Sequence, residues 1–227
     1  MDMKTDTAHR AWNQRWSTEE GRAEWLVPDP AVANLAEGLI ANNPQATALD
    51  LGCGVGRHAL LFARLGFRTT AVDLAEAGLA EVRRSAEQEG LSIETQVAPM
   101  NALPFADGSF DYVLAFNVIY HGDPAIVHAT TSEIRRVLKP GGIFQGTLLS
   151  KRNAGFGVGV EVAPDTFVRE MSGTDAEEDS DKSHPHFYVS AAGAVNLLSG
   201  FELLYLRDGA EKRPGSWHWQ FAAEKLA

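Results

Sequence analysis

The chain has 227 residues, 44% of them apolar, which is enough to form the buried core of a single α/β domain. Its 30 acidic and 20 basic side chains give a formal net charge of −10, which argues against a nucleic-acid backbone or an anionic membrane as the main partner. The single cysteine excludes an internal disulfide, and the polar first residues do not resemble a secretory leader, so we expect a cytoplasmic protein.

From residue 46 onward, predicted strands alternate with predicted helices. Strands are expected at 46–51, 68–74, 91–97, 109–119, 143–149, 201–208 and 217–226. Helices are expected at 57–66, 76–90, 190–200 and within 123–142. The last two strands share a short connection, which is typical of an antiparallel hairpin. This order predicts an α/β fold with a doubly wound, seven-stranded, mostly parallel sheet and an antiparallel C-terminal hairpin.

Two segments interrupt the alternation. Residues 1–30 carry three tryptophans, and residues 150–187 contain few apolar side chains, several glycines and an acidic stretch. Long irregular segments in a compact domain are usually functional or disordered, and open α/β sheets bind ligands at the carboxyl ends of their strands. We therefore expect both segments beside a ligand site. The acidic run 175–181 is compatible with a solvated loop or with a lid that orders on substrate binding.

Three glycines, Gly52, Gly54 and Gly56, stand at alternate positions between the first strand and its helix. Glycines in such a turn let the backbone approach a ligand closely and leave the helix N-terminus facing it. A dinucleotide-binding turn would require glycine at position 57, where this chain has Arg57. The turn therefore predicts a ligand other than a dinucleotide.

Two carboxylates narrow the class of ligand. Asp50 lies at the end of the first strand, where an acid suits an ammonium group better than a pyrophosphate. Asp73 ends the second strand and is placed to accept hydrogen bonds from two ribose hydroxyls. The pattern predicts a nucleoside without phosphate and with a positively charged tail, a description that S-adenosylmethionine fits.

The segments "ALDLGCGVGRH", "TAVDL", "LPFADGSFDYVL", "VIYH" and "RRVLKPGG" follow one another in this order. In these motifs and their order, the sequence resembles the class I S-adenosylmethionine-dependent methyltransferases, in particular their type 11 small-molecule branch. The resemblance implies one Rossmann-like methyltransferase domain over 1–227. Its expected parts are an N-terminal lid (1–30), a cofactor-binding core (31–149), an insertion over the acceptor site (150–187) and a closing helix and hairpin (188–227).

The same resemblance implies which residues bind the cofactor. The glycine turn is expected to contact the methionine part, and the acid of the second strand is expected to hold the ribose. The core residues predicted to bind the cofactor are Asp50, Gly52, Cys53, Gly54, Gly56, His58, Asp73, Leu74, Phe116 and Asn117. The family usually holds the adenine amine with an acid where this chain has Pro99. Backbone groups, Met100 or Asn101 are expected to recognise the adenine instead.

The N-terminal "AWNQRW" resembles the opening of thiopurine- and tellurite-type methyltransferases, in which this segment closes over the cofactor. That resemblance implies a cofactor contact for Trp12 and a position near the cofactor carboxylate for Arg15.

Methyl transfer has a neutral leaving group and needs a general base only when the acceptor must lose a proton. His121 is the candidate for acceptor binding or proton removal, with a backbone-bonded histidine in a tight turn as the alternative. Trp16, Tyr120 and His186 are predicted to line the acceptor pocket, although Tyr120 is also compatible with simple packing. No metal site is predicted, because His184 and His186 lack further ligands at suitable spacing.

The expected function is transfer of a methyl group from S-adenosylmethionine to a small molecule, with S-adenosylhomocysteine as the product. A methyltransferase acting on protein or tRNA is the alternative within enzymes. A non-catalytic module that binds the nucleoside is the alternative outside them. The sequence makes no prediction of the oligomeric state.

Overall fold

The computed structural model describes residues 5–169, 180–210 and 214–226. In chain order its elements are α1 (His9–Trp16), α2 (Glu19–Ala23), α3 (Pro30–Asn42), β1 (Thr47–Leu51), α4 (Arg57–Leu65), β2 (Arg68–Asp73), α5 (Glu76–Glu89), β3 (Ile93–Val97), β4 (Phe110–Ala115), α6 (Pro124–Val137), β5 (Leu138–Ser150), β6 (Val160–Ala163), β7 (Thr166–Val168), a 3₁₀ turn (Asp181–Ser183), β8 (His186–Val189), α7 (Ala191–Leu197), β9 (Phe201–Ala210) and β10 (Trp217–Lys225). Among these residues, no helix combines the length and the apolar character needed to cross a membrane.

The sheet has the predicted architecture. Strands β3, β2, β1, β4 and β5 are adjacent in this order and parallel. Strand β10 runs antiparallel to β5, and β9 pairs with β10 as the antiparallel C-terminal hairpin. The direction of winding reverses between β1 and β4, which is where open α/β sheets form a crevice for ligands.

Three strands that the sequence did not predict lie in the segment 150–187. Strand β10 occupies one edge of β5 through the pairing of His218 with Leu149. Leu149 also pairs with β8, which therefore lies along the other edge of β5, beyond the end of β4. The amide of Phe187 in β8 donates to the carbonyl of Tyr120, in the loop after β4, at 2.9 Å. The segment thus extends the sheet past the carboxyl end of β4, while most of the acidic run 175–181 lies outside the described residues.

Strand β4 is shorter than predicted, because it ends at Ala115 and not near residue 119. Asn117 has a left-handed backbone with φ of 59°, which a continuing strand cannot contain. Its amide donates to Oγ1 of Thr147 at 2.8 Å, and that hydroxyl donates to Oδ1 of Asn117 at 2.9 Å. Side-chain hydrogen bonds from β5 thus hold the turn that opens the crevice.

The N-terminal segment also forms helices that the sequence did not predict. Asp29 caps α3 by accepting the amide of Ala31 at 2.9 Å, and Pro30 occupies the first helical position. Upstream, the hydroxyl of Thr5 donates to Oδ2 of Asp123 at 2.9 Å, which fixes the start of the described chain to the N-cap of α6.

The core covers both faces of the parallel strands. Leu49, Phe144 and Phe221 belong to the larger cluster, whereas Phe62 and Tyr112 belong to a second cluster formed with α3 and α4. All five side chains are fully buried. Burial on both faces is expected for parallel strands between helical layers, and it leaves their carboxyl edge for the site.

We expect Leu49→Ala to lower the free energy of unfolding by about 2–5 kcal/mol, because it leaves a cavity at a fully buried position of β1. Urea unfolding followed by circular dichroism measures this change. Leu204→Ala is the matched control on β9, where the side chain is 51% exposed, and should change stability by less than about 0.5 kcal/mol. Similar losses in the two variants would contradict this description of the core.

Candidate active site

A cavity opens at the carboxyl ends of β1, β2 and β4, and we call it the first cavity. Several residues predicted to bind the cofactor line its wall. They are Trp12, Gly52, Cys53, Gly54, His58, Asp73, Leu74, Met100, Asn101, Phe116 and Asn117. The turn after β1, the end of β2 and the loops after β3 and β4 therefore converge on one space, with α1 on its other side.

The three turn glycines have left-handed backbones, with φ of 66°, 53° and 83°. A Cβ on Gly52 would lie 2.2 Å from Cγ2 of Val118, and a Cβ on Gly56 would lie 2.5 Å from Cγ2 of Val82. A Cβ on Gly54 would lie 3.2 Å from the ring of Trp16. Gly52 and Gly56 are thus required by packing, and Gly52 and Gly54 lie on the cavity wall.

Asp73 connects the end of β2 to the glycine turn. Its Oδ2 accepts the amide of Gly54 at 2.8 Å, and its Oδ1 accepts the amide of Ala75 at 2.8 Å. Burial raises the pKa of this carboxyl above its ordinary value, while the Ala75 and Gly54 amides favour the ionised form. Because a carboxylate oxygen can accept more than one hydrogen bond, both oxygens retain acceptor capacity for a ligand.

Two of the core residues predicted to bind the cofactor, Asp50 and Gly56, lie off the wall of the first cavity. Asp50 is only 2% exposed, and its Oδ2 accepts the amide of Ala59 in the first turn of α4 at 2.9 Å. Burial raises the pKa of Asp50 from 3.8 to about 7, against the opposing effects of the Ala59 amide and Arg57. Gly56 precedes α4 as its N-cap. Both residues support the turn from beneath.

Three tryptophans form a wall from the N-terminal segment. The rings of Trp12 and Trp16 stack with centroids 4.9 Å apart, and Trp25 lies edge-on to them at 5.2 and 5.6 Å. Trp16, which the sequence assigned to the acceptor pocket, lies on the wall of the first cavity, against Gly54. The segment before α3 therefore covers the glycine turn.

Arg57 and His58 attach this covering segment to α4. The Arg57 guanidinium carbon lies 5.3 Å from the ring centroid of Trp25 and 5.5 Å from that of Phe116. His58 accepts the amide of Asp29 through Nε2 at 3.1 Å. Burial lowers the pKa of His58 well below its ordinary value, so this imidazole is neutral and acts as an acceptor.

A second cavity adjoins the first. The two share part of their walls, namely Trp12, Trp25, Arg57, Phe116 and Asn117. Tyr120 and His186, both predicted for the acceptor pocket, line the second cavity. Arg15, predicted near the cofactor, also lies there, with its guanidinium carbon 5.6 Å from the Trp12 ring centroid.

His121, the candidate for proton removal, lies on the wall of the first cavity and is 7% exposed. Neither of its ring nitrogens has a hydrogen-bond partner among the described residues. Its ring centroid lies 4.7 Å from that of His186 and 4.8 Å from that of Tyr120. Burial, helped by His186, lowers the pKa of His121 to about 3, so the ring is neutral near pH 7 and binds a proton weakly.

His186 is held between two oxygens. Its Nδ1 donates to the carbonyl of His184 at 2.8 Å, and its Nε2 lies 3.6 Å from Oδ2 of Asp181. Burial opposes ionisation of Asp181, but His186 holds the pKa of that carboxyl below its usual range. Thr7 Oγ1 lies 2.8 Å from Nδ1 of His184 and so connects this cluster to the N-terminal segment. Within the described ranges, no group of three His, Cys, Asp or Glu residues is placed to hold a metal ion.

Some lining residues were not identified from the sequence. In the first cavity they include Asp6, His9, Ala98 and Val118, and in the second they include Arg169, Lys182, His218 and Gln220. The alternation of His218 and Gln220 along β10 is a detectable signal, since residues two apart lie on one face of a strand. The positions of Asp6 and His9 depend on the tertiary path of the N-terminal segment.

Comparison with known proteins agrees with this geometry. Residues 48–142 match a family model described as a methyltransferase domain. A ubiquinone biosynthesis O-methyltransferase of Cereibacter sphaeroides is 32% identical over 182 residues, covering 79% of this chain and 69% of that protein. A protein of the same name from Methylocella silvestris is 40% identical over 100 residues, covering 44% of this chain and 36% of that protein.

The solved structure of a 1,6-didemethyltoxoflavin N1-methyltransferase of Burkholderia thailandensis, with bound S-adenosylhomocysteine, has the same fold. Its TM-score is 0.69 at 21% identity, over 97% of this chain and 88% of that one. The chain belongs to the class I S-adenosylmethionine-dependent methyltransferases, as its motifs predicted. It spans less than half the length of the first curated relatives it matches, at 36%, 44% and 32%.

We expect Asp73→Ala to weaken binding of S-adenosylhomocysteine by about 100-fold or more, because hydrogen bonds to a charged group contribute roughly 1.5–3 kcal/mol each. Isothermal titration calorimetry measures this affinity. Asp107→Ala is the control, since its side chain is 82% exposed on the surface beside Arg136. Unchanged affinity in Asp73→Ala would contradict the assignment of this carboxylate to the ribose.

The raised pKa of Asp50 has a consequence for stability. The folded chain binds this proton more tightly than the unfolded chain, so the stabilisation is complete below about pH 4 and is lost as the pH rises through about 7. Asp50→Asn removes this titration and keeps an oxygen for the Ala59 amide.

Between about pH 4 and pH 8, we expect the free energy of unfolding of Asp50→Asn to increase relative to the wild type by roughly 1–4 kcal/mol. Urea unfolding of the two proteins without ligand, at a series of pH values, measures the difference. Titration of His121 is common to both proteins and cancels. A difference that does not change with pH would rule out the raised pKa.

Proposed function

We propose that this chain transfers a methyl group from S-adenosylmethionine to a small-molecule acceptor by in-line displacement. The observation that carries the proposal is the position of Asp73, at the end of β2, on the cavity wall and hydrogen-bonded to the Gly54 amide. This arrangement offers carboxylate oxygens to a ribose beside a turn that approaches the ligand closely.

The residues of the first cavity fit the parts of the cofactor. Asp73 would hold the ribose, and Met100 and Asn101, which line the cavity beside Pro99, would pack against the adenine. Arg57 lies on the wall of the first cavity with its guanidinium over two aromatic rings, and it would face the cofactor carboxylate. When bound, the cofactor supplies an electrophilic methyl group on a sulfonium. The aromatic rings of Trp12 and Phe116, which line the cavity, would stabilise that cation.

The second cavity supports transfer over mere binding of the nucleoside. It shares Phe116 and Asn117 with the first cavity, so a cofactor and an acceptor would meet at this common wall. Phe167 of the insertion and Tyr188 of β8 line this cavity and would shield the acceptor from water. A module that only senses the nucleoside needs no such adjoining space.

A small-molecule acceptor also agrees with the overall charge and with the relatives. The net charge of −10 disfavours tRNA as a substrate. The relatives act in ubiquinone biosynthesis and on a didemethyltoxoflavin by name, and both names refer to small molecules. We keep the cytoplasm as the expected location, because one buried cysteine suits a reducing compartment.

The test is calorimetry followed by transfer of a tritiated methyl group to a panel of small acceptors. We expect S-adenosylmethionine and S-adenosylhomocysteine to bind, NAD not to bind, and Asp73→Ala to lose both binding and transfer. Cofactor binding without transfer to any acceptor would favour the non-catalytic module. Binding of NAD in place of S-adenosylmethionine would reject the proposal.

A further inference from the structure

His218 presents a free basic nitrogen to the second cavity. The residue lies on β10, is 6% exposed and lines that cavity together with Gln220. Its Nδ1 lies 3.1 Å from the carbonyl of Ser216, which can only accept, so Nδ1 carries the hydrogen. In a neutral imidazole the lone pair is then on Nε2, and among the described residues the hydrogen bond of this ring is the one through Nδ1.

The neighbouring histidines present no such nitrogen to the second cavity, although both ring nitrogens of His121 also lack hydrogen-bond partners among the described residues. His186 has Nδ1 on the His184 carbonyl and Nε2 facing the Asp181 carboxylate. His121 lies on the first cavity, in ring contact with His186, and its burial disfavours the protonated form. Of the imidazoles that line the second cavity within the described ranges, His218 is therefore the one available to accept a proton.

Aromatic rings surround the space beside His218. The ring centroid of Tyr120 lies 5.8 Å from that of His218, and the ring of Phe167 lies edge-on to Tyr188 at 6.0 Å. Phe116 closes the side shared with the first cavity. Planar rings pack on such walls by stacking and edge contacts, which orients a substituent toward a fixed nitrogen.

We propose that the acceptor is a planar aromatic hydroxyl compound and that Nε2 of His218 accepts its hydroxyl proton. The inference rests on the proposed function and names the substrate class of the same site. The hydroxyl oxygen forms a bond to the methyl carbon as the sulfur–carbon bond breaks, and the electron pair of that bond stays on sulfur. The hydroxyl proton passes to Nε2 and leaves later through the second cavity to solvent.

The first experiment measures ionisation of a bound probe, without turnover. With S-adenosylhomocysteine present, 4-nitrophenol is titrated into the protein at a pH one unit below the pKa of the free phenol. We expect bound 4-nitrophenol to show the visible absorption band of its phenolate in the wild type and to lose most of that band in His218→Gln. His128→Gln is the matched control on the exposed side of α6 and should keep the band.

The second experiment compares two acceptors that differ in acidity. For 4-methylphenol, which keeps its proton at neutral pH, we expect His218→Gln to lower kcat/KM by about 100-fold or more. For 4-nitrophenol, assayed above its pKa, the loss should stay below about tenfold, because no proton needs removal. A merely structural role of His218 would lower both values equally.

The outcomes separate the two proposals. A phenolate band that persists in His218→Gln, equal losses on both phenols, or failure of both phenols to bind while S-adenosylhomocysteine binds would each overturn the assignment of His218 and its substrate class. Those results leave methyl transfer to another acceptor intact. Failure of S-adenosylhomocysteine to bind the wild-type protein would instead overturn the proposed function.

Discussion

The hydrogen bond from the Gly54 amide to Asp73 is the interaction on which the site depends. It joins the turn after β1 to the end of β2, two elements that the parallel sheet has already placed side by side. Asp50 holds the other end of the turn by accepting the Ala59 amide at the start of α4. The two carboxylates thus have different positions. Asp50 is buried beneath the turn, whereas Asp73 lies on the wall of the first cavity.

Much of this arrangement follows from local sequence. Alternating apolar strands and amphipathic helices predict the parallel sheet, and the glycines and Asp73 mark its ligand-binding edge, because each signal is confined to a few neighbouring residues. The family motifs also predict most of the first cavity. Asp50 shows the limit of this reasoning, since a motif places an acid at the turn without saying which side of the backbone the carboxylate takes.

The remaining parts of the site depend on contacts between residues distant in sequence. The strands β6, β7 and β8 are short, and β8 is held beyond the end of β4 by pairing with β5 and by the hydrogen bond from the Phe187 amide to the Tyr120 carbonyl. The position of α1 over the glycine turn depends on stacked tryptophans and on Thr5 and Thr7, which contact residues more than 100 positions away. His218 of β10 and Tyr188 of β8 line the same second cavity, because each of them pairs with Leu149 of β5.

The attachment of β8 to β5 divides the molecule into regions with different freedom to vary. Substitutions in the strands β6 to β8 would change the shape of the second cavity. They would leave the glycine turn, Asp50 and Asp73 unchanged. The strands β1, β2 and β4 are constrained on both faces by packing, whereas the added strands are constrained mainly by main-chain pairing, which any residue except proline can supply. Differences in chemistry between proteins with this fold are therefore expected to concentrate in the strands β6 to β8, while the first cavity stays the same.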